Sequence, residues 1–188
     1  MDVFPSYSSV SQAIYLAALW SLPACMTYAG LRDLLSFTIP NWIPIAVVGG
    51  FLLAAIAEGS LWSYAALMHL GAGASILVAV AILFFRGLIG GGDAKLIAAV
   101  SLWMGWSNLP SFLLLTALAG GVLALSWLVA RRMTSIALIP AWANRYFSSS
   151  DGIPYGVAVA VAAIVMFGSL DWTQTGFLGG AVMNADIK

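Results

Sequence analysis

The chain has 188 residues, of which 62% are hydrophobic and 7% charged. A soluble domain carries about 25% charged residues, so this composition excludes a soluble enzyme and a disordered chain. With seven basic and seven acidic residues it also lacks the basic excess of a nucleic-acid binder. What remains is an all-α polytopic membrane protein, read as a single membrane-embedded domain over residues 1–188 with its core at about 12–170. The single cysteine, Cys25, rules out an internal disulfide and a cysteine-rich zinc site.

Met1 to Ser11 holds Asp2 but no Lys or Arg, so it lacks the positive start of a signal peptide. Six apolar runs follow, at residues 12–31, 42–57, 67–85, 93–109, 111–130 and 154–170. Each approaches the ~20 residues a spanning helix needs, although the second and fourth are short. The runs are apolar all round, unlike the alternating strands of a membrane barrel. Basic residues set the orientation. If the first span runs inward, Arg32, Arg86, Lys95, Arg131, Arg132 and Arg145 all fall in inner loops, leaving only Lys188 outside. Both termini are then expected outside, and the loops near 32–41, 86–95 and 131–152 in the cytoplasm.

This orientation makes no use of the aspartates, yet it brings two of them to one membrane depth. Asp33 closes the first span, and Asp93 opens the fourth after Gly90-Gly91-Gly92. Ionisable groups near the hydrocarbon region are costly and are functional candidates by default. Two carboxyls that approach each other share a proton. The ionised one can then deprotonate a water while the protonated one donates to a scissile carbonyl. A glycine run lets an extended substrate backbone come close. Simpler readings stand beside these. Asp93 can be a helix N-cap, Asp33 can pair with Arg32 or sit in interfacial water, and Lys95 can be a snorkelling anchor rather than a bias on the pair's protonation.

The residues Gly90-x-Gly92-Asp93-x-Lys95-Leu96 resemble the GxGDxKL motif of type IV prepilin peptidases, a family of intramembrane aspartic proteases. Asp33 followed by Ile39-Pro40-Asn41 resembles that family's first aspartate and its IPN segment. Pro154-Tyr155-Gly156 resembles a short element near the family's C-terminus. The resemblance implies an aspartic endopeptidase with Asp33 and Asp93 as catalytic carboxyls, supported by Gly90, Gly92, Lys95, Pro40 and Asn41. It implies pilin or pseudopilin precursors as substrates, cut at the cytoplasmic face of the bacterial inner membrane, with the lipid bilayer as the other partner. It implies no metal and no cofactor. The larger members of the family carry an insert with paired CxxC motifs and also methylate the new N-terminus. Here the first inner loop is about ten residues and Cys25 stands alone. The chain therefore resembles the small peptidase-only branch linked to Flp-type (tight adherence) pili.

Other residues are less informative. Asn41 suits a helix N-cap with Pro44 in the first turn. Asp151 before Gly152 and Pro154 reads as a cap or turn residue. His69 is the only histidine, without the clustered partners of a zinc protease. Glu58 lies at the opposite membrane face from the aspartate pair. The Gly49-Gly50 and Gly120-Gly121 pairs suit close helix packing. The basic and aromatic stretch at 131–147 suits an interfacial segment. Two other functions fit the composition: a proton-coupled transporter or channel component, and a non-catalytic membrane subunit of a secretion assembly. The first would be marked by an inverted repeat, and none is evident.

Overall fold

A computed structural model describes residues 9–134 and 153–170. Asp2, Arg145, Asp151, the aromatic residues Trp142, Tyr146 and Phe147, and the tail with Lys188 lie outside the described residues. The described chain forms five α-helices and no strand: α1 (Ser9–Ser36), α2 (Trp42–Ala57), α3 (Tyr64–Phe85), α4 (Gly91–Thr134) and α5 (Tyr155–Met166). A single 3-10 turn, Phe167–Ser169, follows α5.

Three helical stretches are long and apolar enough to cross a membrane: Val10–Ser36, Tyr64–Phe85 and Gly91–Ala130. Trp42–Ala57 and Tyr155–Ser169 are shorter and equally apolar. The outer surface carries large apolar side chains such as Leu35, Ile45, Leu118, Val122 and Leu125. A water-soluble protein would not display so continuous an apolar exterior. The chain is thus an all-α membrane protein.

Helix α4 is two segments in one. Gly105 adopts φ 61 and ψ 179 inside it, a left-handed conformation that glycine tolerates and other residues resist. The stretch Gly91–Ala130 has 40 residues, about twice the ~20 of one span, and it folds back on itself. Its first arm runs antiparallel to α3. Gly91 meets Phe84, while Leu102 and Gly105 meet Gly73 and His69. Its second arm returns, so that Trp127 lies against Phe37 at the end of α1, with ring centroids 5.9 Å apart. Six helical segments result among the described residues, the number that the hydropathy pattern predicts, but the reversal sits at Gly105 and not at the predicted 109–111 break. Pro110 falls five residues into the returning arm, within the helix.

Helix ends follow local chemistry. The Ser63 side chain caps α3 by accepting from the Ala66 N–H at 3.1 Å. Helices α2 and α3 both end in glycines of positive φ, Gly59 and Gly87, with the next N–H returning to the carbonyl five residues back. One predicted cap does not form. Asn41 precedes α2 but its side chain makes no cap bond, because its oxygen is engaged elsewhere.

Water does not drive helices together inside a bilayer, so close backbone approach and polar ties matter more. A Cβ placed on Gly30 would lie 3.2 Å from Ala160 Cβ, and one on Gly73 3.1 Å from Leu102 Cβ. Of the two predicted glycine pairs, Gly50 packs on α1 at Ser21 and Gly120 on Tyr155, whereas Gly49 and Gly121 face open space. The buried centre holds Trp103, Phe51, Leu22, Met26 and Ile43. The Trp103 indole donates to Val47 O at 2.9 Å and meets the Phe51 ring edge-on.

Candidate active site

One end of the bundle gathers the polar residues that the sequence singles out. Helix α1 ends there with Asp33, α4 begins there, and α5 begins there with Tyr155. Four basic residues, Arg32, Arg86, Lys95 and Arg132, belong to helix ends at this same mouth. Glu58 follows α2 at the far end and accepts from the Ser60 hydroxyl at 3.1 Å. Its burial pushes its carboxyl above the usual range, and that hydrogen bond opposes the shift.

Asp33 is only 4% exposed. Its carboxyl points at the first turn of α5, and a Cβ on Gly156 would lie 2.8 Å from its Oδ2. The backbone N–H groups of Gly156 and Val157 are within reach of the carboxyl, yet Oδ2 is buried and has no hydrogen-bond partner. The nearby N–H groups therefore face the carboxyl without a well-aligned bond to that oxygen. Among the described residues no arginine side chain pairs with it, so the reading of Asp33 as a simple Arg32 partner finds no support.

Asp93 is half-buried and is the third residue of α4, within its first turn. It is therefore not the N-cap; Gly90 takes that place and accepts from the Ala94 N–H at 3.0 Å. A Cβ on Gly90 would lie 3.0 Å from Asp93 Oδ2, so the carboxyl folds back over the glycine turn. The positive end of α4 favours a negative charge at this position. Asp93 and Asp33 lie near enough for their carboxyls to interact electrostatically.

The connection at 37–41 lies between these two groups. Ile39 fills the gap that the glycines leave. A Cβ on Gly92 would lie 3.3 Å from Ile39 Cβ, and one on Gly156 would lie 2.6 Å from Ile39 Cδ1. Lys95 donates to Asn41 Oδ1 at 2.9 Å, tying the start of α4 to the start of α2. This bond explains why Asn41 does not cap α2. It gives one of the three ammonium donors of Lys95 a partner on the connection to α2. Pro40 lends its carbonyl to the Ile43 N–H at 3.1 Å.

The residues brought together are thus Asp33, Asp93, Gly90, Gly92, Lys95, Pro40 and Asn41, with Gly156 as a direct neighbour of Asp33. Sequence reasoning noted Gly156 only through its Pro-Tyr-Gly string and gave Ile39 no role of its own. Its cue was the proline-flanked break between two spans, which forces the chain to cross the mouth. Among the described residues, no three His, Cys, Asp or Glu side chains stand together as a metal site would require.

Known proteins resemble the chain over this same region. A model of the type IV leader peptidase family matches residues 20–125, which include both motif strings and end before α5. The prepilin leader peptidase/N-methyltransferase of Aeromonas hydrophila is 27% identical over 192 aligned positions, covering 95% of this chain and 61% of that protein. That of Burkholderia pseudomallei (strain 1026b) is 32% identical over 83 residues, 43% of this chain and 22% of that protein. That of Pectobacterium carotovorum subsp. carotovorum is 49% identical over 39 residues, 21% of this chain and 14% of that protein. The chain therefore spans between about a seventh and three fifths of the length of these curated relatives. No solved structure matches it. The chain belongs to the type IV leader peptidase family.

Proposed function

We propose that the chain is an intramembrane aspartic endopeptidase that removes the leader from type IV prepilins, with Asp33 and Asp93 as its catalytic carboxyls. The observation that carries this reading is their meeting at one mouth, each beside a glycine, from segments sixty residues apart in the chain. Asp93, favoured as the anion by its place at the start of α4, takes the proton of a water held between the two. Asp33 carries the shared proton and gives it to the carbonyl oxygen of the scissile bond as the water oxygen attacks carbon. The tetrahedral intermediate collapses as Asp93 gives its proton to the leaving nitrogen, the carbon–nitrogen bond breaks, and a hydroxyl of the intermediate returns its proton to Asp33, which restores the pair. Gly92 and Gly156 leave room for an extended backbone beside the carboxyls.

The same reading includes the finer points. The basic residues at the mouth support a cytoplasmic site in the inner membrane, with the whole of 1–188 acting as one peptidase domain. The short 37–41 connection between α1 and α2 and the lone Cys25 support a peptidase without methyltransferase activity, of the kind serving Flp-type pili. Its partners are then pilin or pseudopilin precursors and lipid, with no cofactor.

The test is cleavage of a pilin-type precursor by the purified chain in detergent or liposomes. Asp33→Asn and Asp93→Asn should each lower the rate by at least about a thousandfold. The double variant should be little worse, because groups that act as a unit are not additive. Each variant should still accumulate in the membrane, since losing a carboxyl near lipid removes a desolvation cost. Cleavage should survive a strong chelator, and the new N-terminus should stay unmethylated when a methyl donor is added. Normal cleavage by either single variant would sink the mechanism.

A further inference from the structure

We propose that residues 37–41 are a lid over the carboxyl pair, and that Ile39 is the plug that occupies the slot a substrate backbone must enter. This inference rests on the peptidase reading above and adds a gate to it.

Three of the lid's side chains reach across to α4 and α5. The Phe37 ring meets Trp127 on the returning arm of α4, with centroids 5.9 Å apart and planes at 76°. Ile39 lies against the positions of Gly92 and Gly156, on either side of the pair. Asn41 is clasped by Lys95 at 2.9 Å. Beneath them Asp33 is 4% exposed and its Oδ2 has no hydrogen-bond partner. A carboxyl that must reach both water and a substrate carbonyl cannot work while so enclosed. The glycines on either side create a slot, and the chain's own isoleucine fills it.

The lid is built to open. Phe37 adopts φ 51, a left-handed conformation disfavoured for any residue with a side chain. Its N–H bonds the Asp33 carbonyl at 2.9 Å and its ring meets Trp127, so the conformation is held from both sides, and release of the ring lets the backbone relax. Asn41 and Lys95 are both exposed, and water can replace their hydrogen bond. Ile39 is only half-buried. A connection meant as permanent structure would be tied by buried bonds. Opening by a turn about Phe37 would carry Ile39 out of the slot and leave Asp33 facing it.

If only the open form binds precursor, the apparent KM is raised by the fraction of time the lid is shut. Ile39→Ala weakens the shut form alone. It should lower KM about three- to tenfold with kcat little changed. A residue that positions the carboxyls would do the reverse and lower kcat. An unchanged or raised KM, or a fall in kcat, overturns the proposal. As a second variant, Phe37→Cys with Trp127→Cys, which face each other across the lid, in a Cys25→Ser background should cleave before treatment. It should lose cleavage once a short reducible bis-thiol reagent bridges the two cysteines, and regain it on reduction. Loss before bridging, or activity after it, counts against the lid.

A third measurement needs no substrate. In detergent, with Cys25→Ser, a cysteine at position 39 should react with a polar maleimide about tenfold more slowly than one at the exposed Thr38. Adding Lys95→Gln should speed position 39 about threefold, the effect of one exposed hydrogen bond, and leave position 38 alone. Equal rates at 38 and 39, unmoved by Lys95→Gln, would remove the lid whatever the protein cleaves. Failure of wild-type chain to cut precursor, with slow and clasp-dependent labelling at 39, would instead overturn the peptidase reading and leave the lid standing.

Discussion

The two ends of the bundle use the same parts with different consequences. Each has two residues at a positive φ where the chain changes direction: Gly59 and Gly105 at the far end, Phe37 and Gly87 at the mouth. Each has a hydrogen bond between segments distant in sequence, and the two compared are of the same length. His69 Nδ1 meets Leu102 O at 2.9 Å, and Lys95 meets Asn41 at 2.9 Å. The far-end bond is buried, with His69 stacked on Phe51 at 5.8 Å, while the mouth bond is exposed. A carbonyl can only accept, so Nδ1 carries the proton. The left-handed turn at Gly105 breaks the regular ladder near Leu102, and His69 supplies a donor to its carbonyl. Burial, rather than bond length, separates a fixed corner from a releasable one. A buried acceptor has no water to turn to, whereas an exposed one does.

Substitutions at these positions test that contrast. The largest effect is expected at Gly105→Ala. A Cβ there would sit 2.7 Å from the His69 ring on a backbone that disfavours side chains, at a cost of about 3 kcal/mol or more. The variant should fail to accumulate, or unfold far earlier on heating in detergent. A stable Gly105→Ala would mean the far-end corner is not fixed. His69→Phe keeps the ring on Phe51 but strands Leu102 O, for a loss of about 1–2 kcal/mol. His69→Gln, whose amide can donate, should recover part of that loss in the same melting experiment.

The mouth should respond less. Phe37→Gly removes the conformational penalty and the ring contact together, so its stability should change by less than about 1 kcal/mol. A drop as large as that of Gly105→Ala would show the lid to be part of the rigid frame. Lys95→Gln should be smallest, within about 0.5 kcal/mol of the parent. Its signature is faster amide hydrogen exchange confined to 38–41, with the amides around Leu102 unaffected. Slower exchange there, or change spread along α4, would dissolve the distinction between the two ends.

The sequence by itself determined the class of molecule and the neighbourhood of its site. Apolar runs with few charges leave a chain no stable option but helices in lipid, and the run at Trp42–Ala57 has the same bounds in the fold. The spacing of basic residues and the two aspartates placed both carboxyls at one end, because alternate spans must alternate direction. Gly59 and Gly87, just past the ends of α2 and α3, are local stop signals that the hydropathy reading did not use. Tertiary structure decided what periodicity cannot encode. Hydropathy is continuous through Gly105, so the reversal there depends on His69 reaching Leu102 from another helix. Asn41 is as good a cap as any by type, but Lys95, far along the chain, claims its oxygen. Ile39 reads as one more apolar residue beside a proline. Only the approach of α4 and α5, with a glycine on each, gives that side chain a slot next to Asp33. Such roles arise from contacts between distant segments, and no local pattern carries them.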